Sequence, residues 1–206
     1  ITMAFPEYFA AVKPLIVYDP LAKLLGAPED GVITYEFADV VKLAGHACPT
    51  VAGAWLLTVR GLQALYGEEL PQRGQIAVNL PDHENCGVSG VIASVAGMLT
   101  GAAGEGGFKG LGGQHVRRGL LRFGIDGILG IAFTRVDTQL TVDCRLNLQT
   151  VPGDPQMVRL IPAIIHGDAD PADQQTFATL WQARVRAMLI DHADDPALVE
   201  VRYIKR

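Results

Sequence analysis

Residues 49–66 are apolar on almost every side of a helical projection, with Val51, Ala52, Ala54, Trp55, Leu56, Leu57, Val59, Leu62 and Leu65 spread around it. Pro49 suits the first turn of a helix, where its missing N–H is not needed, and Gly67 suits its end. A helix that is apolar all round must be buried on most sides. The rest of the chain therefore has to wrap it, and Gly53 and Gly61 would let another backbone come close.

This helix is preceded by Gly45-His46-Ala47-Cys48-Pro49, and a second segment, His83-Glu84-Asn85-Cys86-Gly87, echoes it. Each places a histidine two or three positions before a cysteine, ahead of a stretch that reads as a helix. The second helix is expected over about 87–100, with a small-residue face of Gly87, Gly90, Ala93, Ala96 and Gly97 that puts it at the centre of the molecule. Both cysteines precede helix N-termini, where the dipole favours the thiolate. Thiolate and imidazole are the ligands that zinc prefers, four in a closed site and three in an open one. His46, Cys48, His83 and Cys86 thus form a candidate two-Cys, two-His metal set, to which His115 can be added. Asp82 and Glu84 read first as solvated loop charges, or else as groups that orient a ligand histidine or serve as a base. Cys144 sits inside an expected strand and reads as a buried small hydrophobe, and His166 and His192 have no partner in sequence.

The chain has 206 residues, 49% hydrophobic and 19% charged, enough for a substantial core. Its mean hydropathy of +0.23 is high, and an apolar interface between two copies, hence a homodimer, is the expected reason. Gly, Arg and Asp interrupt every apolar run, so no membrane span is expected. A net charge of −5 with no basic stripe argues against nucleic acid as a partner; the partner expected is a metal ion or a small-molecule ligand. Three cysteines at irregular spacing do not make a disulfide framework. With Met3 read as a natural start and no signal segment after it, a cytoplasmic location with reduced thiols is expected.

Along the chain, short helices broken by Pro6, Pro14 and Pro20 are expected up to Leu25-Gly26, followed by a turn at 27–31. Residues 32–37 have strand composition, or else 35–37 lead into a short helix over 38–44. Residues 75–80 alternate as a strand. Residues 101–113 hold the loosest segment, glycine-rich, with Gly107, Lys109 and Gly110 as the candidates to touch a cofactor. No Walker-type Gly-Lys-Ser/Thr follows, so a structural or cofactor-covering loop is favoured over a phosphate cradle. Strands are expected at 118–123, 128–135 and 139–148, with a hairpin turn at 136–138. The stretch 157–165 is apolar and ends at His166-Gly167. Asp170 and Pro171 open an amphipathic helix over 171–192, and 199–204 form a terminal strand.

The Gly-His-Ala-Cys-Pro segment opening a small-residue helix resembles the FmdE-like family, named for the E-subunit of formylmethanofuran dehydrogenase. Members carry Gly-His-x-Cys-Pro-Gly, then a cysteine opening a second helix, then a Thr-Gly…Gly-x-Gly stretch leading into strands. These correspond here to Gly45–Pro49, to Cys86 with Gly87-Val88-Ser89, and to Thr100-Gly101 through Gly110, so the resemblance covers about 32–145. Thr50 stands where the family has glycine, His83 lies outside its motif, the lysine expected near 124–127 is absent, and no Cys-x-x-Cys forms a C-terminal zinc ribbon. The resemblance implies an α+β fold with a mixed β-sheet flanked by buried helices, a dimer, and a metal-associated His/Cys site in a stand-alone relative. A single domain over 1–206 is expected, its core at 32–145 and an extension at 150–206 packed on it.

The first functional expectation is accordingly a transition-metal-binding protein, with zinc best matched to the donors and a redox or accessory role. A haem pocket with a histidine or cysteine axial ligand under the glycine-rich loop is a second. A thiol redox enzyme or sensor joining Cys48 and Cys86 is a third.

Overall fold

Trp55 and Leu62, on the helix expected to be apolar all round, are 1% and 0% exposed, and the structure is built around them. The computed structural model describes residues 4–204; the expected start at Met3 lies outside them. After a 3-10 turn at Glu7–Ala11, the elements in chain order are β1 (Leu15–Tyr18), α1 (Pro20–Leu25), β2 (Val32–Tyr35), α2 (Phe37–Ala44) and α3 (Pro49–Tyr66). β3 (Ile76–Asn79), α4 (Ser89–Thr100), β4 (Leu121–Arg122), β5 (Ile131–Arg135) and β6 (Thr141–Leu146) follow. The chain ends with α5 (Pro155–His166), α6 (Pro171–Arg186), a π turn (Ala187–Asp191) and β7 (Val199–Ile204).

β1 and β2 form an antiparallel pair. The other five strands form a mixed sheet in the order β4-β3-β5-β6-β7, with β3 and β4 parallel and the remaining neighbours antiparallel. The fold is α+β. α3 packs across β5, β6 and β7, and α4 packs on α3, α2 and β3. A Cβ on Gly61 would stand 2.6 Å from Cδ2 of Phe133 and 3.1 Å from Sγ of Cys144, and one on Gly53 would meet Leu146. The two glycines therefore admit sheet side chains rather than another helix. Phe9, Phe37 and Trp55 pack edge to face with centroids 5.0 and 6.1 Å apart, closing the core at the N-terminal half of α3.

α4 differs from its expected role. Its glycines accommodate its own flanking loops: a Cβ on Gly90 would lie 3.0 Å from the Glu84 carbonyl oxygen, and one on Gly97 2.9 Å from that of Ala102. Val91 and Ser94 face outward, so α3, not α4, occupies the centre. The first segment also differs. Leu15-Ile16-Val17-Tyr18 is a strand, because the β-branched run pairs with β2 and its neighbouring prolines lie just outside it.

Asp19 joins the two sheets' loops. It caps α1, accepting from Leu21 N and Ala22 N at 2.9 and 3.2 Å, and it accepts from Arg117 at 2.7 Å and Arg73 at 3.0 Å. Burial pushes its carboxyl pKa up, but the hydrogen bonds from Arg73, Ala22 and Arg117 outweigh that and hold it below the ordinary value. Arg117 lies against Gly74 and Gly101, where any Cβ would collide with its guanidinium. Among the described residues its Nη1 has no hydrogen-bond partner, and it is buried.

Candidate functional site

α2 ends at Gly45, which takes the left-handed conformation (φ 82°) and lets its N–H reach the Val41 carbonyl at 2.7 Å. The chain then turns through His46 and Ala47 into α3. Cys48 is the N-cap of α3: its backbone is extended, its side chain is buried, and its Sγ accepts the Val51 N–H at 3.4 Å. Sulfur thus takes the place that a serine or threonine oxygen usually fills.

His46 is exposed, and its Nδ1 stands 3.0 Å from the Ala44 carbonyl oxygen. A carbonyl only accepts, so Nδ1 carries the proton and Nε2 is left with the free lone pair. Between the two, the Ala47 carbonyl accepts from Trp181 Nε1 and Gln182 Nε2, both at 3.1 Å. Gln182 in turn accepts from the Tyr8 hydroxyl at 2.8 Å, and burial pushes that phenol up to about 12. The turn carrying His46 and Cys48 is therefore clamped from α6 and from the N-terminal segment.

The second pair is arranged differently. Residues 82–88 are all exposed, in the connection between β3 and α4. The Cys86 N–H donates to the His83 carbonyl at 3.0 Å, closing a turn that brings these two residues to its ends. The N-cap of α4 is Val88, so Cys86 lies just ahead of the helix rather than capping it. Its thiol is free and exposed, 4.0 Å from Asn85 Oδ1. The His83 ring makes no hydrogen bond among the described residues and lies against Gly124, whose Cβ would stand 3.1 Å from Cε1.

Among the described residues, no three His, Cys, Asp or Glu side chains stand together as a metal-holding group. His46 and Cys48 are neighbours, His83 and Cys86 share a turn, and the four are not gathered into one closed shell. His115 is half-buried with a left-handed backbone (φ 58°), which is costly for a non-glycine residue. It follows a two-residue hairpin, Leu111 to Gln114, closed by two 2.9 Å backbone bonds across Gly112 and Gly113, both at positive φ.

The remaining loop candidates are occupied by the loop itself. Gly107 fits against Ala103 and Arg118, with 2.9 Å from its would-be Cβ to the Arg118 Cα, and Gly110 fits against the Gln114 carbonyl. Lys109 is exposed at the tip. Cys144 is fully buried beside Gly61, and burial pushes its thiol up to about 12, so it is inert. Tyr8, Trp181 and Gln182 bear on the site and carry no motif. Their contribution is to a backbone carbonyl, which a sequence pattern does not display.

No family model matches the sequence, and no curated protein matches it. Among solved structures the chain is similar to a tungsten formylmethanofuran dehydrogenase FmdE-like protein from Syntrophus aciditrophicus. The similarity covers 84% of this chain and 73% of that one, at 15% identity and a TM-score of 0.45. Likeness at that level assigns no residue a role. No helix among the described residues is long and apolar enough to cross a membrane.

Proposed function

We propose that the chain is a metal-binding protein that holds a transition metal, zinc by the nature of its donors, with His46, Cys48, His83 and Cys86, and with His115 as a further donor. The observation that carries this reading is the fixing of His46. A backbone carbonyl 3.0 Å from Nδ1 leaves Nε2 as the free donor two residues from a thiol held at a helix N-terminus. Metal-ligating histidines are oriented in this way, with the second nitrogen bonded to a carbonyl or carboxylate.

The other donors are free to respond. Among the described residues, neither the His83 ring nor the Cys86 thiol is engaged by a strong protein hydrogen bond, and both sit on an exposed turn. On this reading the clamped pair is the fixed half of the site and the turn is the half that closes onto a metal. The bound ion would supply charge and a Lewis-acidic centre, and the thiols would release their protons to solvent on binding it, so affinity rises with pH. A homodimer is part of the proposal. It is supported by Val158 and Ile165, exposed on α5, a helix that buries only Met157.

Elemental analysis of the full chain, prepared without an affinity tag, loaded with zinc and then dialysed, tests the reading. About one equivalent per chain is expected, lost in Cys48→Ala and His46→Ala and kept in Cys144→Ala. Well under one equivalent after loading, or full retention by Cys48→Ala, refutes it. A Soret band on addition of haemin would move the assignment to haem.

A further inference from the structure

A cleft of about 550 Å³ lies along β1 and the C-terminal half of α3, within the usual size range of small-molecule sites. It does not include any of the His/Cys positions. Its floor is apolar: Val12, Leu15, Trp55, Leu56 and Leu189 are all buried and bring no polar group except the indole N–H. Leu189 comes from the π turn, a wall geometry that recurs at functional sites.

The cleft holds two cations without an ion-pair partner among the described residues, a state they share with the half-buried Arg184, which bonds only backbone carbonyls. Arg73 and Arg117 share Asp19, Arg135 has Asp137 and Glu69, and Arg202 has Asp143. Arg60, half-buried on the cleft wall, has no carboxylate within ion-pair distance among the described residues. It uses one donor, Nη1, on the Ala193 carbonyl at 3.2 Å. Lys13 lines the same cleft and is equally unpaired among the described residues.

The backbone adds a donor. Tyr18 turns its N–H and C=O away from β2, to the Pro71 carbonyl and the Arg73 N–H at 2.9 and 2.8 Å. Groups two residues apart on a strand point the same way. Ile16 therefore offers its N–H and C=O on the same outer edge, which is the side that lines the cleft with Leu70 and Pro71. Three carboxylates stand at the rim. Glu68 and Asp194 are exposed and solvated, and Glu69 is engaged by Arg135 at 3.3 Å. They disfavour a dianion such as a phosphate ester. Asp195, held low chiefly by its hydrogen bond with His192, also feels the Arg60 charge without forming an ion pair with it.

We propose that this cleft binds a monocarboxylic acid with an apolar tail, the tail lying on the Trp55–Leu189 floor and the carboxylate taken by Arg60, with Lys13 and the Ile16 N–H as further donors. The inference is independent of the metal reading.

Calorimetric titration of the full chain with decanoate and, separately, 3-phenylpropionate tests it, and tells a fatty from an aryl acid. Saturable binding of about one acid per chain is expected, roughly tenfold weaker in Arg60→Gln, as befits loss of one partly solvated charge-assisted contact. It should be unchanged in Arg118→Gln, which removes an equal charge from an exposed site elsewhere. Gln63→Trp, at an exposed position on the cleft wall, should fill the space and abolish it. The proposal fails if neither acid saturates, if decylammonium binds as tightly, or if a folded Arg60→Gln binds like the parent. Should Arg60→Gln not fold, Gln63→Trp decides: undiminished binding there overturns the proposal.

Discussion

Replacing Asp19 by alanine removes the common partner of two arginines. The Asp19 side chain is 4% exposed and that of Arg117 7%, so the guanidinium left behind stays buried without its charge partner. Breaking a buried pair from one side costs about 3–5 kcal/mol. Loss of the α1 N-cap adds about 1 kcal/mol. Arg73 is 24% exposed and keeps the Met98 carbonyl at 2.9 and 3.1 Å, so it adds little. The total is about 4–6 kcal/mol, and at roughly 2–4 °C per kcal/mol for a chain of this size the melting temperature should fall by at least about 8 °C. Urea denaturation followed by circular dichroism at neutral pH gives the free energy. The double variant Asp19→Ala with Arg117→Met should be more stable than Asp19→Ala alone, because it no longer buries an unpaired charge. A loss below about 1 kcal/mol, or a double variant whose cost equals the sum of the singles, would refute the reasoning. Titration gives the same network a pH signature. A carboxyl held below its unfolded pKa stabilises the fold above that value, and the contribution fades as pH falls below about 4 through the folded value.

Other outcomes follow from the same contacts. Gly61→Ala drives a methyl against Phe133 and Cys144 and should cost about 1–3 kcal/mol by thermal melting, whereas Gly104→Ala, with open space around it, should be nearly neutral. A thiol reagent should modify Cys86 first and leave Cys144 untouched in the native protein, read by mass spectrometry of the peptides; early labelling of Cys144 would contradict its burial. Tyr8→Phe removes the donor to Gln182 and should cost about 1 kcal/mol, and proton exchange at Trp181 Nε1 should quicken with it.

The sequence carries α3 almost to the residue, since Pro49, an apolar barrel of side chains and Gly67 state its start, burial and end. β3 and β7 are equally readable from alternation, and the strand expected at 139–148 is β6, Thr141–Leu146. The expected strand at 118–123 shrinks to Leu121–Arg122, because backbone bonds there serve the glycine-rich loop, with Leu121 N donating to the Ala103 carbonyl. The apolar stretch at 157–165 is α5, Pro155–His166. Asp154 and Pro155 repeat the cap-and-proline opening seen at Asp170 and Pro171, but Pro162 inside the run obscures it. At the site, the placement of Cys48 at a helix start is legible, because cap and first-turn residues are local. The separate settings of the two His/Cys pairs are not. They depend on packing between α4 and α2–α3 and on donors from residues 8, 181 and 182, which no local pattern encodes.

The clamp on Ala47 also has a timing. Trp181 lies 134 residues after the carbonyl it holds. At ribosomal speeds of 5–20 residues per second, roughly 7–27 s separate the synthesis of the two. During that interval the His46–Cys48 turn has only local bonds to hold it, the Cys48 cap and the His46 contact to the Ala44 carbonyl, and the thiol is open to any oxidant or ion that reaches the nascent chain. A chain halted at residue 170 should therefore expose Cys48 to alkylation that the full chain resists, and equal protection in both would show that the cap alone suffices. Arrival of α6 is then the event that completes the clamp on the Ala47 carbonyl beside Cys48.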